Sequence, residues 1–481
     1  MHGIIFKVGI HKLSVPLFCL IMLWPASLRG QSEIPLNDLS FFKAPGKTWY
    51  VAGHVTADLQ NANILNVTDG TGVLVNTPDK KNKGEDLFTR SEHGDIDLEL
   101  DYMMAKGSNS GIYLQGRYEI QLHDTWGSAR PTSGSNGGIY ERWDDTRPQV
   151  KKGYEGYAPR QNSSLAPGLW QHLKISFKAP VFDGRGKKTA HAKILRIELN
   201  GVVIHENVEL SGPTRGAIST EEKGTGPLRL QGDHGSVAFR NMKITRYDDG
   251  YPLENLTTRA GPVYPILVNA HTRPVFRSFM DLSDGTRVVH AVSIASPYNV
   301  HYTYDADTGM ILQVWRGDFL DATRMWHGRG DGSSRPVGAV QQFGKPMPAL
   351  AKLSSSQSMW IKDTMGTGFR AKGYVLNKDD RPVFQYEIYG SKVTDEISAL
   401  NNGQGIRREI TIQTPVTGLY VRLAEDSSIK KISKGLYLVG DNSYYLELDA
   451  GSDMKGVVRN NAGKKELLVP VTDKLAYSIL F

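Results

Sequence analysis

The stretch GIYLQGRYEIQLHD, residues 111–124, alternates almost without a break. Read as one strand, it puts Ile112, Leu114, Tyr118, Ile120 and Leu122 on one face, with Gly116 among them. The other face receives Tyr113, Gln115, Arg117, Glu119, Gln121 and His123. An ordinary solvent-facing strand shows Lys, Thr, Ser and Glu in no special order. Here the polar row is bulky, planar and rich in hydrogen-bonding groups, with Glu119 between Arg117 and Gln121. One side of this segment belongs in a core, and the other has the chemistry of a ligand-binding floor.

The same period of two runs outward from it. DIDLELDYMM (95–104), WQHLKISF (170–177), ILRIELNGVVIHENV (194–208) and VAFRNMKITRY (237–247) all alternate or nearly do. Asn200-Gly201 between two such runs signals a type I′ hairpin. Gly- and Pro-rich connections separate the strands, and no long amphipathic helix interrupts them. The pattern predicts an all-β antiparallel sandwich or jelly roll. It pauses at DDGYPLENLTTRAGPVYP (248–265), a linker by composition, and then resumes with RVVHAVSI, NVHYTYDA, MILQVWRG, VFQYEIYG, GIRREITIQ, GLYLVG and YYLELDA. Residues 266–481 are therefore a second β-rich domain, one large sandwich or two small ones.

The chain has 481 residues and a formal net charge of +7. Lys7, Lys12 and Arg29 supply part of that charge, and no long basic cluster with interleaved aromatics follows, which argues against a nucleic-acid partner. Basic residues precede the apolar run LSVPLFCLIMLWPA, and Ser27 to Gln31 offers a cleavage region. Residues 1–30 thus read as a secretory signal, too short and Pro-interrupted for a membrane span, and the expected location is secreted or periplasmic in a bacterium. Cys19 is the only cysteine, so the mature chain has neither disulfide nor thiolate chemistry.

Sugar hydroxyls need paired donors and acceptors, and apolar sugar faces stack on Tyr or Trp. The row from Tyr113 to His123 supplies both. Downstream, SGSNGGIYERWDD (133–145) brings Tyr140, Glu141, Arg142 and Trp143 among close-packing glycines. Asn162 opens an N-x-S triplet, as do Asn66 and Asn255. GPLRLQGDHGSVAFRN (226–241) sets Gln231, Asp233 and His234 between two strands, with Arg240 following.

Taken together, GDIDLELDYMMAKGSNSGIYLQGRYEIQLHDTWG, GLWQHLKISFKAPVFDGRGKKTAHAKI, NGVVIHENVELSGPT and GPLRLQGDHGSVAFRNMKI resemble the 3-keto-disaccharide hydrolase domain family over roughly residues 38 to 247. One departure is Gly232, inserted between Gln231 and Asp233. The resemblance implies a concanavalin-like jelly roll over residues 36–247. It also implies glycoside substrates whose glucose ring has been oxidised at carbon 3. Such a ketone acidifies the C2 hydrogen. A base removes it, the C1 substituent leaves by β-elimination, and water adds. That chemistry needs a general base and a positive group near the enolate oxygen.

On this reading Glu119 or His123 is the base, with His234 a rival. Arg117 and Arg142 stabilise the enolate or orient hydroxyls. Gln115, Gln121 and Gln231 bind the sugar, as do Asn162 and Arg240, and Tyr113 or Tyr140 is a stacking platform. A divalent metal is an alternative electrophile, for which Glu119, His123, Asp124 and His234 carry suitable atoms, although no spacing demands one.

Two other readings stand beside this one. The sandwich could be a glycan-binding module without turnover. Alternatively, Asp95-Ile96-Asp97-Leu98-Glu99 faintly echoes the acidic strand of laminarinase-type glucanases, which would require the Asp95 row and the Glu119 row to share one face. The second half, through HYTYDADTGMILQVWRGDFLDATRMWHGRG, resembles a β-rich segment of secreted sugar-dehydrogenase-like proteins. No CxxCH motif is present, so no haem is expected. Asp305 and Asp307 suggest a turn rather than a calcium loop. This half could dock a glucoside 3-dehydrogenase that makes the keto-sugar, bind glycan, or brace the first domain.

Overall fold

A computed structural model describes residues 31–252, 264–296, 298–449 and 456–481. The expected signal segment 1–30, most of the expected linker and Asn255 lie outside the described residues. Every long element is a strand, and the one described α-helix, Thr323–Trp326, is a single turn. No described helix is long and apolar enough to cross a membrane.

The first half is a jelly-roll sandwich of two antiparallel sheets. One has eight strands, running Val202–Leu210, Ala192–Leu199, Gln171–Lys178, Ile96–Met104, Val237–Arg246, Leu65–Asn76 and Trp49–Ala57, with Gln31–Glu33 paired to Val237–Arg246. The other has five, in the order Phe42–Lys43, Leu87–His93, Gly226–Leu230, Asn109–Leu114 and Tyr118–His123. Neighbours in space are often distant in sequence, so crossovers tie the sheets together. Alternation assigns the faces. Ile96, Leu98, Leu100 and Tyr102 point inward from the large sheet to meet Ile112, Leu114, Ile120, Leu122, Leu228 and Leu230 from the small one. Each such side chain contributes roughly 1.5–3 kcal/mol by burial. Asn200 and Gly201 take φ of 52° and 79°, the left-handed pair a type I′ turn requires between two strands.

The structure departs from expectation at residues 111–124. They form not a single strand but most of a hairpin: Asn109–Leu114 turns through Gln115, Gly116 and Arg117 into Tyr118–His123. Gln115 and Gly116 both have positive φ, 52° and 66°. The turn spans three residues, so the parity on either side of it is preserved. Tyr113 therefore lies directly across from Glu119, rather than several pleats along one strand.

The second half contains a six-, a four- and an eight-stranded sheet. Val292, Ile294, Tyr302 and Val314 of the six-stranded sheet join the main core with Ile410, Leu446 and Leu475, while Met280, Leu312, Trp315 and Phe319 on its other face form a core of their own. Asp305 accepts from Asp307 N (3.1 Å) and Thr308 Oγ1 (2.6 Å), the pattern of a turn. The two halves pack against each other. Ala166 and Leu169 meet Leu436, Leu438 and Leu480. Buried Asn442 donates to Val55 O (3.0 Å) and Gly168 O (3.2 Å), and Trp126 Nε1 donates to Phe481 O (2.8 Å).

Candidate active site

The outer face of the five-stranded sheet holds a row built by strand pairing. Lys43 lies opposite Phe88, Phe88 opposite Arg229, Arg229 opposite Tyr113, and Tyr113 opposite Glu119. An isolated bridge joins Ile120 to Ile139, and Tyr140 N donates to Glu119 O (3.0 Å). Residues opposite each other in a sheet share a face. Glu119 thus stands between Tyr113 and Tyr140.

The next row contains Gln121, Gly111 and Gln231. Gly111 is opposite Gln121, and Gln231 N donates to Gly111 O (2.9 Å). The missing side chain at Gly111 is what makes room for the acid, since a Cβ there would collide with Glu119 Oε1. With its amide oriented to suit its neighbours, Gln121 donates to Ser110 O (2.8 Å) and reaches Glu119 Oε1 (3.3 Å).

Glu119 is 2% exposed. Burial lifts its pKa to about 7, against the lowering effect of a hydrogen bond from Tyr113 and the charge of Arg229; Asp86 and Asp233 add to the rise. Burial, and then the neighbouring Glu119, push the Tyr113 phenol well up, so it remains a donor. Arg229 is fixed by Asp86 (2.6 Å) and Gly216 O (2.6 Å), and its guanidinium lies 4.1 Å from the centre of the Tyr113 ring. Two buried polar atoms on this face, Arg229 Nε and Gln231 Oε1, have no protein partner. Buried polar groups are normally satisfied, so an unpaired donor and an unpaired acceptor on one face suit a hydroxylated ligand.

At the rim, His234 Nδ1 lies 2.5 Å from Asp233 Oδ1, both side chains about half exposed. His123 reaches Gly134 O through Nδ1 (3.0 Å), which seats the 132–136 loop over this end of the sheet. The structure therefore brings together Tyr113, Glu119, Gln121, Tyr140 and Gln231, with His123 and His234 at the border.

Other expected site residues lie elsewhere. Arg117 sits in the turn and is spent on Glu221 O (2.8 Å) and Gln115 O (2.9 Å). Gln115 faces the backbone of Gly224 and His93, because its left-handed conformation swings it out of the row. Arg142 is held by Glu155 (2.9 Å) and Ser211 (2.8 Å). Asn162 pins Thr125 O and Ser128 O. Arg240 belongs to the opposite sheet, where it pairs with Asp101 and with Asp441 of the second half.

The acidic strand also faces away. Asp97 accepts from Tyr247 and Tyr251, and Asp101 from His172 and Asn241, all on the outer face of the eight-stranded sheet. The two rows look out from opposite sides of the sandwich and cannot form one glucanase site. For a metal, the expected donors do not converge: Asp124 is committed to Gly107 N and Trp126 N, and His123 Nδ1 to Gly134 O. Among the described residues no three His, Cys, Asp or Glu side chains group to hold a metal ion.

Arg229 and Asp86 were not among the expected residues. The signal for Arg229 was present: in Leu228-Arg229-Leu230-Gln231 the leucines are core and the polar pair must face out.

Comparison with known proteins bears on the first half of the chain. Residues 37–245 match the family model of the 3-keto-alpha-glucoside-1,2-lyase-like domain. The chain is also similar to solved structures of two Parabacteroides distasonis proteins, each proposed to be a glycosyl hydrolase. One is 26% identical with a TM-score of 0.32, over 45% of this chain and 84% of that one. The other is 20% identical with a TM-score of 0.29, over 45% of this chain and all of that one. A carbohydrate-binding module from Bacillus subtilis aligns at 10% identity and a TM-score of 0.21, over 42% of this chain and 96% of that one. No curated protein matches the chain. The match ends before the second half, whose expected likeness to sugar-dehydrogenase-like proteins gains no support from it.

Proposed function

We propose that the lyase-like domain cleaves glycosides whose glucose ring carries a ketone at carbon 3, outside the cytoplasm. The observation that carries this reading is Glu119, buried with a pKa of about 7 in the same row as an arginine whose Nε is unpaired. A base with its pKa near the working pH is the efficient one for taking a carbon-bound proton. Glu119 takes the C2 proton, and the electron pair moves into the C2–C3 bond and onto the ketone oxygen. Arg229 Nε donates to that oxygen as its charge grows. Return of the pair forms a C1–C2 double bond and breaks the bond from C1 to the leaving oxygen, which takes up a proton. Water then adds to C1 and a proton returns to C2, for net hydrolysis. Gln231 Oε1 accepts from a ring hydroxyl, and Tyr113 keeps Glu119 oriented.

The test is sugar release from 3-keto-trehalose, 3-keto-lactose and their unoxidised parents, with and without chelator. Cleavage of the keto forms alone supports the reading, and loss with chelator would add a divalent metal to the site. Saturable binding without cleavage would make the domain a lectin-like module, with Glu119 a ligand contact.

A further inference from the structure

Beyond Tyr140 the chain forms a small flap. Ile139 and Tyr157 exchange backbone hydrogen bonds (3.0 and 2.9 Å), and Trp143 pairs with Gly153. The flap is braced from within: Trp143 Nε1 donates to Asp145 (3.0 Å), and the Arg147 guanidinium lies 3.6 Å from the centre of the Tyr154 ring. Across from it, Arg215 rests its guanidinium 3.8 Å from the centre of the Trp143 ring.

Both partners in this stack hang from the candidate site. Tyr140, three residues before Trp143, bonds the backbone of Glu119, and Arg215 O lies 3.4 Å from the Tyr113 hydroxyl. Arg215 N closes the ring by donating to Glu141 O (2.8 Å). Arg215 is exposed, and among the described residues its guanidinium makes no hydrogen bond to protein. A part-exposed indole held upright beside a guanidinium with free donors is a surface for a pyranose: a ring for the apolar sugar face and N–H groups for its hydroxyls.

Resting on the function proposed above, we propose that Trp143 and Arg215 form the subsite for the leaving group and select a second pyranose over a small alkyl group. The 3-keto ring sits over Glu119 and Arg229, and the sugar that departs lies against the flap.

The experiment compares a 3-keto-disaccharide with methyl 3-keto-glucoside, using wild type, Trp143→Ala, Trp143→Phe and Arg215→Ala. Trp143→Ala and Arg215→Ala should each raise KM for the disaccharide about ten-fold, as expected when one stacking partner is removed, while the methyl glycoside changes less than about two-fold. Trp143→Phe should restore most of the loss. Equal loss on both substrates would mean a structural role and overturn the proposal, as would an unchanged KM for the disaccharide. If wild type cleaves neither keto-sugar, the reaction reading fails on its own. Equilibrium dialysis with the unoxidised disaccharide then decides the subsite: binding weakened by Trp143→Ala sustains it, and binding that is absent or unaffected removes it.

Discussion

Burial pushes the pKa of the Glu119 carboxyl, 2% exposed, up to about 7, and its neighbours explain why it tolerates the position. Tyr113 and Arg229 favour the charged form, while burial and the acids Asp86 and Asp233 oppose it. The folded pKa lies above the unfolded value, so the native state holds the proton more tightly. The stability this gives is present at low pH and is lost as pH rises toward 7. Linkage from 4.5 to about 7 puts the cost of the ionised form on the order of 3 kcal/mol. Glu119→Gln should therefore melt higher than wild type at pH 8 and match it near pH 4, as read by thermal unfolding. The same substitution should lower kcat by roughly 10²–10⁴. In wild type, kcat/KM should climb with pH through about 7. Arg229→Lys keeps the charge but loses the fork that holds Asp86 and Gly216, and should cost about ten- to a hundred-fold in kcat with little change in fold. At this scale much was legible, because alternation alone put Tyr113, Glu119 and Gln121 on one face. The outward parity of Arg229 was readable, but its place beside Tyr113 comes only from strand pairing, and Asp86 joins through its ion pair with Arg229.

The hairpin at residues 109–123 shows what a strand pattern conceals. Period-two alternation survives a three-residue turn, so one long strand and a tight hairpin write the same sequence. Gln115-Gly116 marks the bend less clearly than Asn200-Gly201, because Gln seldom adopts a left-handed backbone. The difference matters for function: the hairpin puts the tyrosine against the acid and removes Arg117 and Gln115 from the site. Two glycines separate the roles within this element. Gly111 serves the acid and has no positive φ, so Gly111→Ala adds no backbone strain but displaces the buried Glu119, and should lower stability by about 1–3 kcal/mol through overpacking. A shifted midpoint in the kcat/KM pH profile would record that displacement. Gly116 serves the turn, with φ of 66° and Ile218 Cδ1 2.8 Å from where a Cβ would stand. Gly116→Ala should lower stability by about 1–2 kcal/mol in denaturant titration.

For the whole molecule, the second half grips the segment that follows the Glu119 strand. Trp126 bonds Phe481 O, and Asn162 holds Thr125 O and Ser128 O below the 132–136 loop that His123 seats. Asn442 satisfies two backbone oxygens of the first half from a position 2% exposed. Asn442→Ala leaves both without that donor and should cost about 1–3 kcal/mol. Calorimetry should read that loss as a lower melting temperature. Two β-rich halves were legible in the sequence but this docking was not, since the groups involved are single polar side chains with no periodicity to betray them.

The central claim is that Glu119 removes the C2 proton of a keto-sugar, and deuterium at that carbon tests it most directly. Wild type acting on a 3-keto-disaccharide labelled with deuterium at C2 should cleave it several-fold more slowly than the unlabelled sugar, with the unoxidised parent untouched. Equal rates for labelled and unlabelled sugar, together with cleavage of the parent, would contradict the account and make the reaction an ordinary glycoside hydrolysis.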